Sequence, residues 1–201
     1  MEYRIQPFAN IDDPLLEQLA ALHQSVMHNL LTDLGYSIIL RYYQIARSDP
    51  SVIGFYALSA SREFLGWVVG SPDPRALNTR LQTPWIWLFG QMLRIAVTKP
   101  GVLLQMWLSV FHAAQSQLAP RTVELTYIGV APGVQGNGIG RALLDAFTEA
   151  SRSLGYCSME LSTEIDNLHA LALYEKTGFA VKRIFKEGWF ERYRMERKLS
   201  S

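Results

Sequence analysis

The sequence predicts a mixed α/β domain, in which helices pack on a central sheet. Three observations support this fold class. Apolar patterns of strand and helix period follow each other along the chain, in the order β-α-α-β-β and later β-α-β-α-β-β. A glycine-rich turn, VQGNGIGRALL at residues 134–144, joins a strand pattern to a helix pattern. Apolar residues make up 49% of the chain and charged residues 18%, which is typical of a globular protein.

The first half of the chain is predicted to contain one strand, two helices and a strand pair. Tyr3–Phe8 has the alternation of a strand. Asp13-Pro14 supplies a helix N-cap followed by proline at the first helical position. A second helix is predicted from Leu34 to Ala46. Two paired strands are predicted after it, at Ile53–Ser59 and Phe64–Gly70.

The second half of the chain is predicted to contain four strands and two helices. Val123–Val130 is a strand, and the glycine-rich turn leads from it into a helix that Gly155 ends. From Cys157 to Ser162 apolar and polar residues alternate, as in a strand with one buried face. Asp166 is predicted to cap a helix that ends at Gly178. The last two predicted strands complete a sheet of about seven: Phe179–Lys186 and Arg192–Leu199.

Length and charge limit the classes of function. The 201 residues are predicted to form a single domain over 1–201. The net charge is +1, so no overall field favours nucleic acid as a partner. The single cysteine, Cys157, excludes an internal disulfide, fits a reducing compartment and is predicted to be a buried, inert thiol. No signal-peptide pattern occurs in the first residues, and we therefore expect a cytoplasmic protein.

The glycine-rich turn predicts an anion-binding site. Gly136, Gly138 and Gly140 stand directly before a helix, whose N-terminus presents unpaired N–H groups and the positive end of the helix dipole. A P-loop would need Gly-Lys-Ser/Thr, but Arg141-Ala142 follows Gly140. A dinucleotide fingerprint would need a small residue in place of Arg141. The sequence lacks the histidine pair typical of a helical metal site, because no two of the four histidines have i, i+4 spacing.

Two motifs together resemble the GNAT family, the Gcn5-related N-acetyltransferases. Residues 135–140, Gln-Gly-Asn-Gly-Ile-Gly, are similar to its Q/R-x-x-G-x-G/A acetyl-CoA motif. Asn167–Phe179 is similar to its N-x-x-A-x-x-L-Y-x-x-x-G-F segment. The resemblance covers Glu124–Lys186 and implies a GNAT fold, in which the sheet is splayed between the fourth and fifth strands. It also implies acetyl-CoA as the co-substrate, with no metal.

The resemblance gives the motif residues roles in coenzyme binding. Backbone N–H groups from Gln135 to Arg141 would hold the pyrophosphate, and the Arg141 side chain would contact phosphate or lie on a solvated helix face. The pantetheine arm would pair with the backbone of Ile128–Val130, where Gly129 suits a local distortion. The predicted coenzyme-binding residues are Ile128, Val130, Gln135, Gly136, Asn137, Gly138, Ile139, Gly140, Arg141 and Asn167.

Acetyl transfer to an amine needs a proton donor, a polarised carbonyl and a base. Tyr174 matches the tyrosine acid of the family, and its ordinary pKa of ~10 keeps it protonated at neutral pH. The Val130 N–H is the predicted carbonyl polariser. The resemblance implies Glu124 as the base, because it lies six residues before Val130, where the histone-acetyltransferase branch of the family carries its base glutamate. Strand alternation also places Glu124 on the face of Ile128 and Val130 unless a bulge intervenes. The alternatives are a structural Glu124, His112, or water chains.

We therefore expect an acetyl-CoA-dependent N-acetyltransferase that acts on a small primary amine, such as an amino sugar, by direct attack in a ternary complex. A transferase of a longer acyl group and a catalytically silent coenzyme A sensor are the alternatives, although Tyr174 argues against the sensor. No acidic cluster is evident in the N-terminal helices or the last strands, which weighs against polycationic acceptors.

An apolar helical insert at residues 81–120 separates the third and fourth predicted strands. Only Arg94 and Lys99 are charged in it, and Pro100-Gly101 divides it into two predicted helices. The apolar length before that break, roughly 13 residues, is too short to span a membrane. We expect an amphipathic pair that covers the acceptor site or forms a homodimer face, with tryptophan anchors at Trp85, Trp87 and Trp107. A third alternative is that the pair lies on a membrane surface, and the scarcity of basic residues weighs against it.

Overall fold

A computed structural model of the chain describes residues 2–81, 101, 118–187 and 190–199. Within them, seven strands form one sheet: β1 (Tyr3–Pro7), β2 (Ile53–Ser59), β3 (Phe64–Ser71), β4 (Thr122–Val130), β5 (Ser158–Glu164), β6 (Ala180–Glu187) and β7 (Phe190–Lys198). The helices are α1 (Asp13–Val26), α2 (Leu30–Leu34), α3 (Tyr36–Ser48), α4 (Pro74–Leu81), α5 (Ile139–Ser153) and α6 (Leu168–Lys176). Short 3-10 turns lie at Phe8–Asn10 and Pro132–Val134.

The strand order in the sheet is β1-β2-β3-β4-β5-β7-β6. Neighbouring strands are antiparallel except β4 and β5, which are parallel. One apolar cluster lies between the sheet and the helices α1 to α3, and a second lies between the sheet and the helices α5 and α6. The predicted α/β class with a seven-stranded mixed sheet is confirmed.

Three predicted helix boundaries were wrong. The helix predicted from Leu34 to Ala46 is α3, which begins at Tyr36 because Gly35, at φ +99°, separates it from the short helix α2. The N-cap of α1 is Asp12 rather than Asp13, and its side chain accepts from the Leu15 N–H at 3.0 Å. The N-cap of α6 is Asn167 rather than Asp166. In both caps two cap-forming residues are adjacent, so the sequence could not distinguish them.

The prediction that β5 buries only one face was wrong. The side chains of Ser158, Met159, Glu160 and Leu161 are all buried, although they alternate between the two faces. Glu160 is buried because Lys182 and Arg194 donate hydrogen bonds to its carboxylate. Cys157 lies immediately before β5 and is half-buried, which differs from the predicted buried thiol.

Close contact between β3 and β4 explains why three positions on these strands are glycine. A Cβ on Gly70 would collide with the Glu124 carbonyl oxygen, and one on Gly66 would lie 2.6 Å from the Gly129 carbonyl oxygen. A Cβ on Gly129 would lie 2.5 Å from the ring of Trp67. The sequence assigned Gly129 to a strand distortion, whereas the structure shows that it makes room for this indole ring.

A buried hydrogen-bond chain holds that ring in place. Trp67 Nε1 donates to the Tyr43 hydroxyl at 2.9 Å, and this hydroxyl lies 2.7 Å from His23 Nδ1. Because an indole N–H can only donate, we assign the Tyr43 proton to the bond with His23. All three side chains have no exposed surface, so the chain links α1 and α3 to β3 inside the first apolar cluster.

The predictions for the insert lie almost entirely outside the described residues. They include the helical pair, the lid or homodimer face, His112, and the anchors Trp85, Trp87 and Trp107. None of the helices in the described ranges is both long and apolar enough to cross a membrane.

The first testable prediction concerns His23 and pH. Burial lowers the pKa of His23 from 6.5 to about 4, and the Asn29 side chain opposes this with a smaller effect. Between these two pKa values, His23 therefore binds a proton in the unfolded chain but not in the folded protein. The free energy of unfolding should fall as pH drops from about 6.5 to 4, by up to about 3 kcal/mol, while His23 adds no pH dependence above that range.

Urea unfolding at pH 7, 6, 5 and 4 would measure this loss. The control is His23→Gln, whose amide oxygen can still accept the Tyr43 proton but does not titrate. The variant should lose less stability than the native protein between pH 6.5 and 4. Equal losses in the two proteins would contradict the prediction.

Candidate active site

The sheet opens between β4 and β5. The two strands pair only from Thr122–Leu125 on β4 to Ser158–Leu161 on β5. Beyond this rung β4 continues to Val130 and β5 continues to Glu164 without pairing to each other. The residues of β4 in the opening stay paired to β3 along the other edge. The predicted splay between the fourth and fifth strands is confirmed.

Backbone groups of β4 point into this opening. The Ala131 N–H donates to the Leu65 carbonyl of β3 at 2.8 Å. Because successive N–H groups of a strand point to opposite edges, the N–H groups of Val130 and Ile128 face away from β3. The Val130 carbonyl faces the same way and accepts a hydrogen bond from Gln135 Nε2 at 3.2 Å. The opening is therefore lined by donors and acceptors suited to an extended, amide-containing ligand.

A bulge on β4 changes the faces of its side chains. Tyr127 pairs with Val69 and Leu125 pairs with Gly70, so Thr126 is an extra residue on β4. Ile128 and Val130 therefore pack in the cluster below α5, together with Val123 and Leu125. Glu124 lies on the opposite face. The strand alternation that placed Glu124 with Ile128 and Val130 is broken by this bulge.

The glycine-rich loop leads from β4 into the N-terminus of α5. Gly136 and Gly138 both take φ +81°, a conformation that side chains other than glycine rarely adopt. Gly138 is the N-cap of α5 and has no side-chain cap, so the first N–H groups of the helix are not used by a capping side chain. A Cβ on Gly136 would meet nothing within 4 Å. The loop is therefore an open cradle of N–H groups that fits a phosphate.

The polar side chains of this loop hold the loop itself. Asn137 Nδ2 donates to the Val134 carbonyl at 3.1 Å, and Gln135 bonds to β4 as described above. Arg141 Nε contacts both carboxylate oxygens of Asp145, at 3.1 and 2.9 Å, on the exposed side of α5. Ile139 is buried in the core beneath the loop. Anion contacts in this region thus depend on backbone N–H groups, with Arg141 engaged in an i, i+4 ion pair.

Helix α6 brings Tyr174 to the same region. The start of α5 lies between the end of β4 and helix α6. A Cβ on Gly140 would lie 3.5 Å from Val130 Cγ2 and 3.6 Å from Leu173 Cδ2. Tyr174 follows Leu173, is 5% exposed, and its ring centroid lies 5.7 Å from that of Phe179. Burial raises the pKa of Tyr174 well above its ordinary value, so its hydroxyl keeps its proton throughout the neutral range.

Two other predicted site residues have structural partners. Asn167 Oδ1 caps α6 by accepting from the Ala170 N–H at 3.1 Å. Glu124 Oε2 accepts from Arg194 Nη2 at 2.9 Å. Sequence reasoning did not identify Arg194, which is separated from Glu124 by 70 positions. His169, expected to pack or face solvent, is exposed on the first turn of α6.

An acidic cleft of about 600 Å³ lies at the end of β5. Its walls come from the α1–α2 connection with α2, from the β5–α6 connection, and from the start of β7. The lining residues are His28, Asn29, Thr32, Asp33, Glu164, Ile165, Asp166 and Glu191. Two of the lining carboxylates lie near cations: Glu164 is 3.7 Å from Arg192, and Glu191 is 3.3 Å from Lys186.

No acidic cluster was expected from the sequence of the N-terminal helices and the last strands, whereas Asp33 of α2 and Glu191 of β7 meet Glu164 and Asp166 in this cleft. Its four carboxylates come from three segments that are distant in sequence, so no local pattern could show them. Carboxylates that line a cleft favour cationic ligands. Across the described part of the chain, no group of three or more His, Cys, Asp or Glu side chains is arranged to hold a metal ion.

The geometry of the site indicates the class of protein to which the chain belongs. A sheet that opens between two parallel strands, next to a phosphate-binding helix start, is suited to an acyl-coenzyme A. The sequence profile described as the acetyltransferase (GNAT) family matches residues 16–179. The chain belongs to this family, whose co-substrate is acetyl-CoA.

Two sequence relatives agree with this assignment. The mycothiol acetyltransferase of Jonesia denitrificans is 26% identical over 191 residues, which cover 88% of this chain and 59% of the relative. That of Mycobacteroides abscessus is 31% identical over 174 residues, or 83% of this chain and 54% of the relative. The chain thus spans little more than half the length of these curated relatives.

The fold is shared with the PaiA N-acetyltransferase of Thermoplasma acidophilum, solved in complex with coenzyme A. The TM-score is 0.61 at 13% sequence identity, and the match covers 98% of this chain and 99% of the other. At this identity the similarity shows the fold alone.

The second prediction tests the glycine-rich loop. Acetyl-CoA at ~100 times its dissociation constant should stabilise the native protein by about 2.7 kcal/mol. For a chain of this size that is a rise in Tm of roughly 5–10 °C. Gly138→Asp should remove most of the rise, because it strains a residue at φ +81° and places a carboxylate at the anion cradle.

A matched control separates backbone strain from loss of binding. Gly35 also takes a positive φ, of +99°, and a Cβ there would meet nothing within 4 Å. Gly35→Asp carries the same change between α2 and α3, so its Tm should still rise with acetyl-CoA. A Gly138→Asp protein that keeps the full rise in Tm would refute the loop as the coenzyme site.

Proposed function

We propose that the protein is an acetyl-CoA-dependent N-acetyltransferase that transfers the acetyl group to a small primary amine by direct attack. The observation that carries the proposal is the opening of the sheet beside the glycine-rich loop. There the Ile128 and Val130 N–H groups face a gap that ends at the N-terminus of α5. Membership in the GNAT family and the names of the sequence relatives support it.

The coenzyme is proposed to lie along this gap. The backbone N–H groups of residues 135–141 hold the pyrophosphate, and the pantetheine amides pair with the exposed edge of β4. Asn167 stays a proposed contact. Because its Oδ1 is engaged in the helix cap, that contact would use its Nδ2 group. Arg141 would have to leave Asp145 to reach a phosphate.

The acetyl carbonyl is proposed to accept a hydrogen bond from the Val130 N–H. A fixed backbone donor aimed at the carbonyl oxygen stabilises the negative charge that develops there. Tyr174 is the proposed acid, because its phenol is protonated at neutral pH and can donate to the sulfur as negative charge develops there. The burial that raises its pKa opposes this transfer, so the donation must be coupled to departure of the thiolate. The departing thiol of coenzyme A has an ordinary pKa near ~8.5 and must take up that proton.

The acceptor amine is proposed to enter through the acidic cleft. An amine with an ordinary pKa arrives as a cation, and the four carboxylates of the cleft favour a positively charged group. The cleft lies on the side of β5 that faces α2, across the sheet opening from α5. An amino sugar and other small amines satisfy this charge requirement.

Two assignments compete for the base. Glu124 is the residue predicted from the sequence, and a chain of water molecules is the alternative. Val130 is the sixth residue after Glu124 on β4, which is about 20 Å of strand. Glu124 is also ion-paired to Arg194. Distance and pairing both favour the water chain, because a direct base must come within about 3 Å of the attacking amine.

The third prediction tests the proposed acid and the reaction together. With acetyl-CoA and a panel of small amines, the native protein should release coenzyme A, measured as free thiol. Tyr174→Phe should lower kcat by ~10²-fold or more, because the proton donor is lost. Its affinity for acetyl-CoA should be unchanged, because the phenol is not part of the phosphate cradle.

Tyr56→Phe is the control, since Tyr56 is equally buried but lies in the first apolar cluster. Full turnover in Tyr174→Phe would reassign the acid. A native protein that binds acetyl-CoA but releases no thiol with any amine would identify a silent sensor.

The fourth prediction decides between the two bases. If Glu124 is the base, Glu124→Gln should flatten the acidic limb of the profile of kcat/KM against pH. If water molecules relay the proton, the acidic limb should keep its shape in the variant. The measurement needs only the amine that the preceding panel identifies as the best acceptor.

A further inference from the structure

Three glutamates form one rung across the sheet, at the place where β4 and β5 stop pairing. Glu124 on β4 lies opposite Glu160 on β5, and Glu160 lies opposite Glu196 on β7. Residues that are directly opposed on neighbouring strands share one face of the sheet. Three carboxylates therefore stand side by side, an arrangement that destabilises a sheet unless cations separate them.

Arg194 separates the first two carboxylates of this rung. Its Nη2 donates to Glu124 Oε2 at 2.9 Å, and its Nε donates to Glu160 Oε2 at 2.7 Å. A third bond runs from Nη1 to Ser162 Oγ at 3.0 Å. The side chain of Arg194 is 6% exposed and that of Glu160 is 8% exposed, so these bonds act where water screens them little.

Lys182 separates the second and third carboxylates. Its Nζ lies 2.7 Å from Glu160 Oε1 and 3.9 Å from Glu196 Oε1. Glu160 is therefore held from both sides. Although burial alone would raise it, the hydrogen bonds from Lys182 and Arg194 bring the pKa of Glu160 below its usual value. Acidic and basic side chains thus alternate along the rung across β4, β5 and β7.

We propose that Arg194 is a positioning residue that clamps β4 to β5 and thereby fixes the width of the gap for the pantetheine arm. This inference rests on the proposed function, which assigns the gap to the coenzyme. The last paired rung, Leu125 with Leu161, lies one residue beyond the clamp, and the bulge at Thr126 follows it. The clamp thus stands at the vertex from which the two strands diverge.

Removal of the guanidinium would leave Glu124 and Glu160 facing each other without their shared counterion. The two carboxylates repel, and β4 moves away from β5 at the vertex. The Ile128 and Val130 N–H groups, farther along the same strand, are displaced with it. The phosphate cradle should change much less, because α5 packs on β1, β2 and β3 as well as on β4 and so stays held by strands that the substitution does not displace.

Two ligands distinguish the gap from the cradle. Acetyl-CoA occupies both, whereas adenosine 3′-phosphate 5′-diphosphate is coenzyme A without its pantetheine arm and tests the cradle alone. Calorimetric titration well below Tm measures both affinities without an acceptor amine. Arg194→Met should weaken acetyl-CoA about tenfold or more and change the affinity for the truncated ligand by less than about twofold.

Two further variants keep the test valid if Arg194→Met does not fold. Arg194→Lys keeps the charge but loses the planar fork that reaches both carboxylates, and it should weaken acetyl-CoA by a smaller factor. The double variant Glu124→Gln with Arg194→Met removes one of the facing carboxylates and should recover part of the lost affinity. The control is Arg47→Met, which breaks a 2.6 Å ion pair between α3 and α1, away from β4.

The outcomes separate the clamp from the proposed function. Equal acetyl-CoA affinity in the native protein, Arg194→Met and Arg194→Lys would overturn the clamp and leave the proposed function standing. A parallel loss of both ligands in these variants would also overturn it, because that pattern indicates general damage. If the native protein binds neither ligand, the proposed function fails.

Discussion

The candidate site depends on one constraint: β4 pairs with β3 from Glu124 to Val130 on one edge, but with β5 over only four residues, Thr122–Leu125, on the other. Pairing with β3 keeps β4 extended as far as Val130. Because the pairing with β5 ends earlier, the Ile128 and Val130 N–H groups face a gap. Gly70 permits the transition, because only a residue without a Cβ lets β3 approach β4 beside the bulge. The loop, α5 and Tyr174 are then placed around the end of this strand.

The elements that the sequence predicted well are those whose signal is local. The β4 strand and its glycine-rich turn lie within about twenty consecutive residues, and so do α5 and its terminal Gly155. Apolar periodicity records which face of each element is buried, and a positive φ at a turn selects glycine. For the same reason the seven strands were found in order and the loop was assigned to an anion.

What the sequence missed depends on pairs of distant residues. The bulge at Thr126 is a property of the register between β3 and β4, and it reversed the face expected for Glu124. Burial of Glu160 follows from cations on β6 and β7, which a strand pattern cannot show. The acidic cleft likewise assembles carboxylates from α2, β5 and β7. Alternation of polar and apolar residues is a weak guide wherever ion pairs replace apolar contacts.

The complete burial of β3 has a consequence for cooperativity. All eight of its residues are buried, so its amide protons should be among the last to exchange with solvent. The amide protons of β4 share that protection along the β3 edge only. A ligand that pairs with the other edge would act as a temporary eighth strand. Its binding would slow amide exchange at the end of β4. The exchange rate of these amides would therefore measure the fraction of molecules in which the gap is occupied.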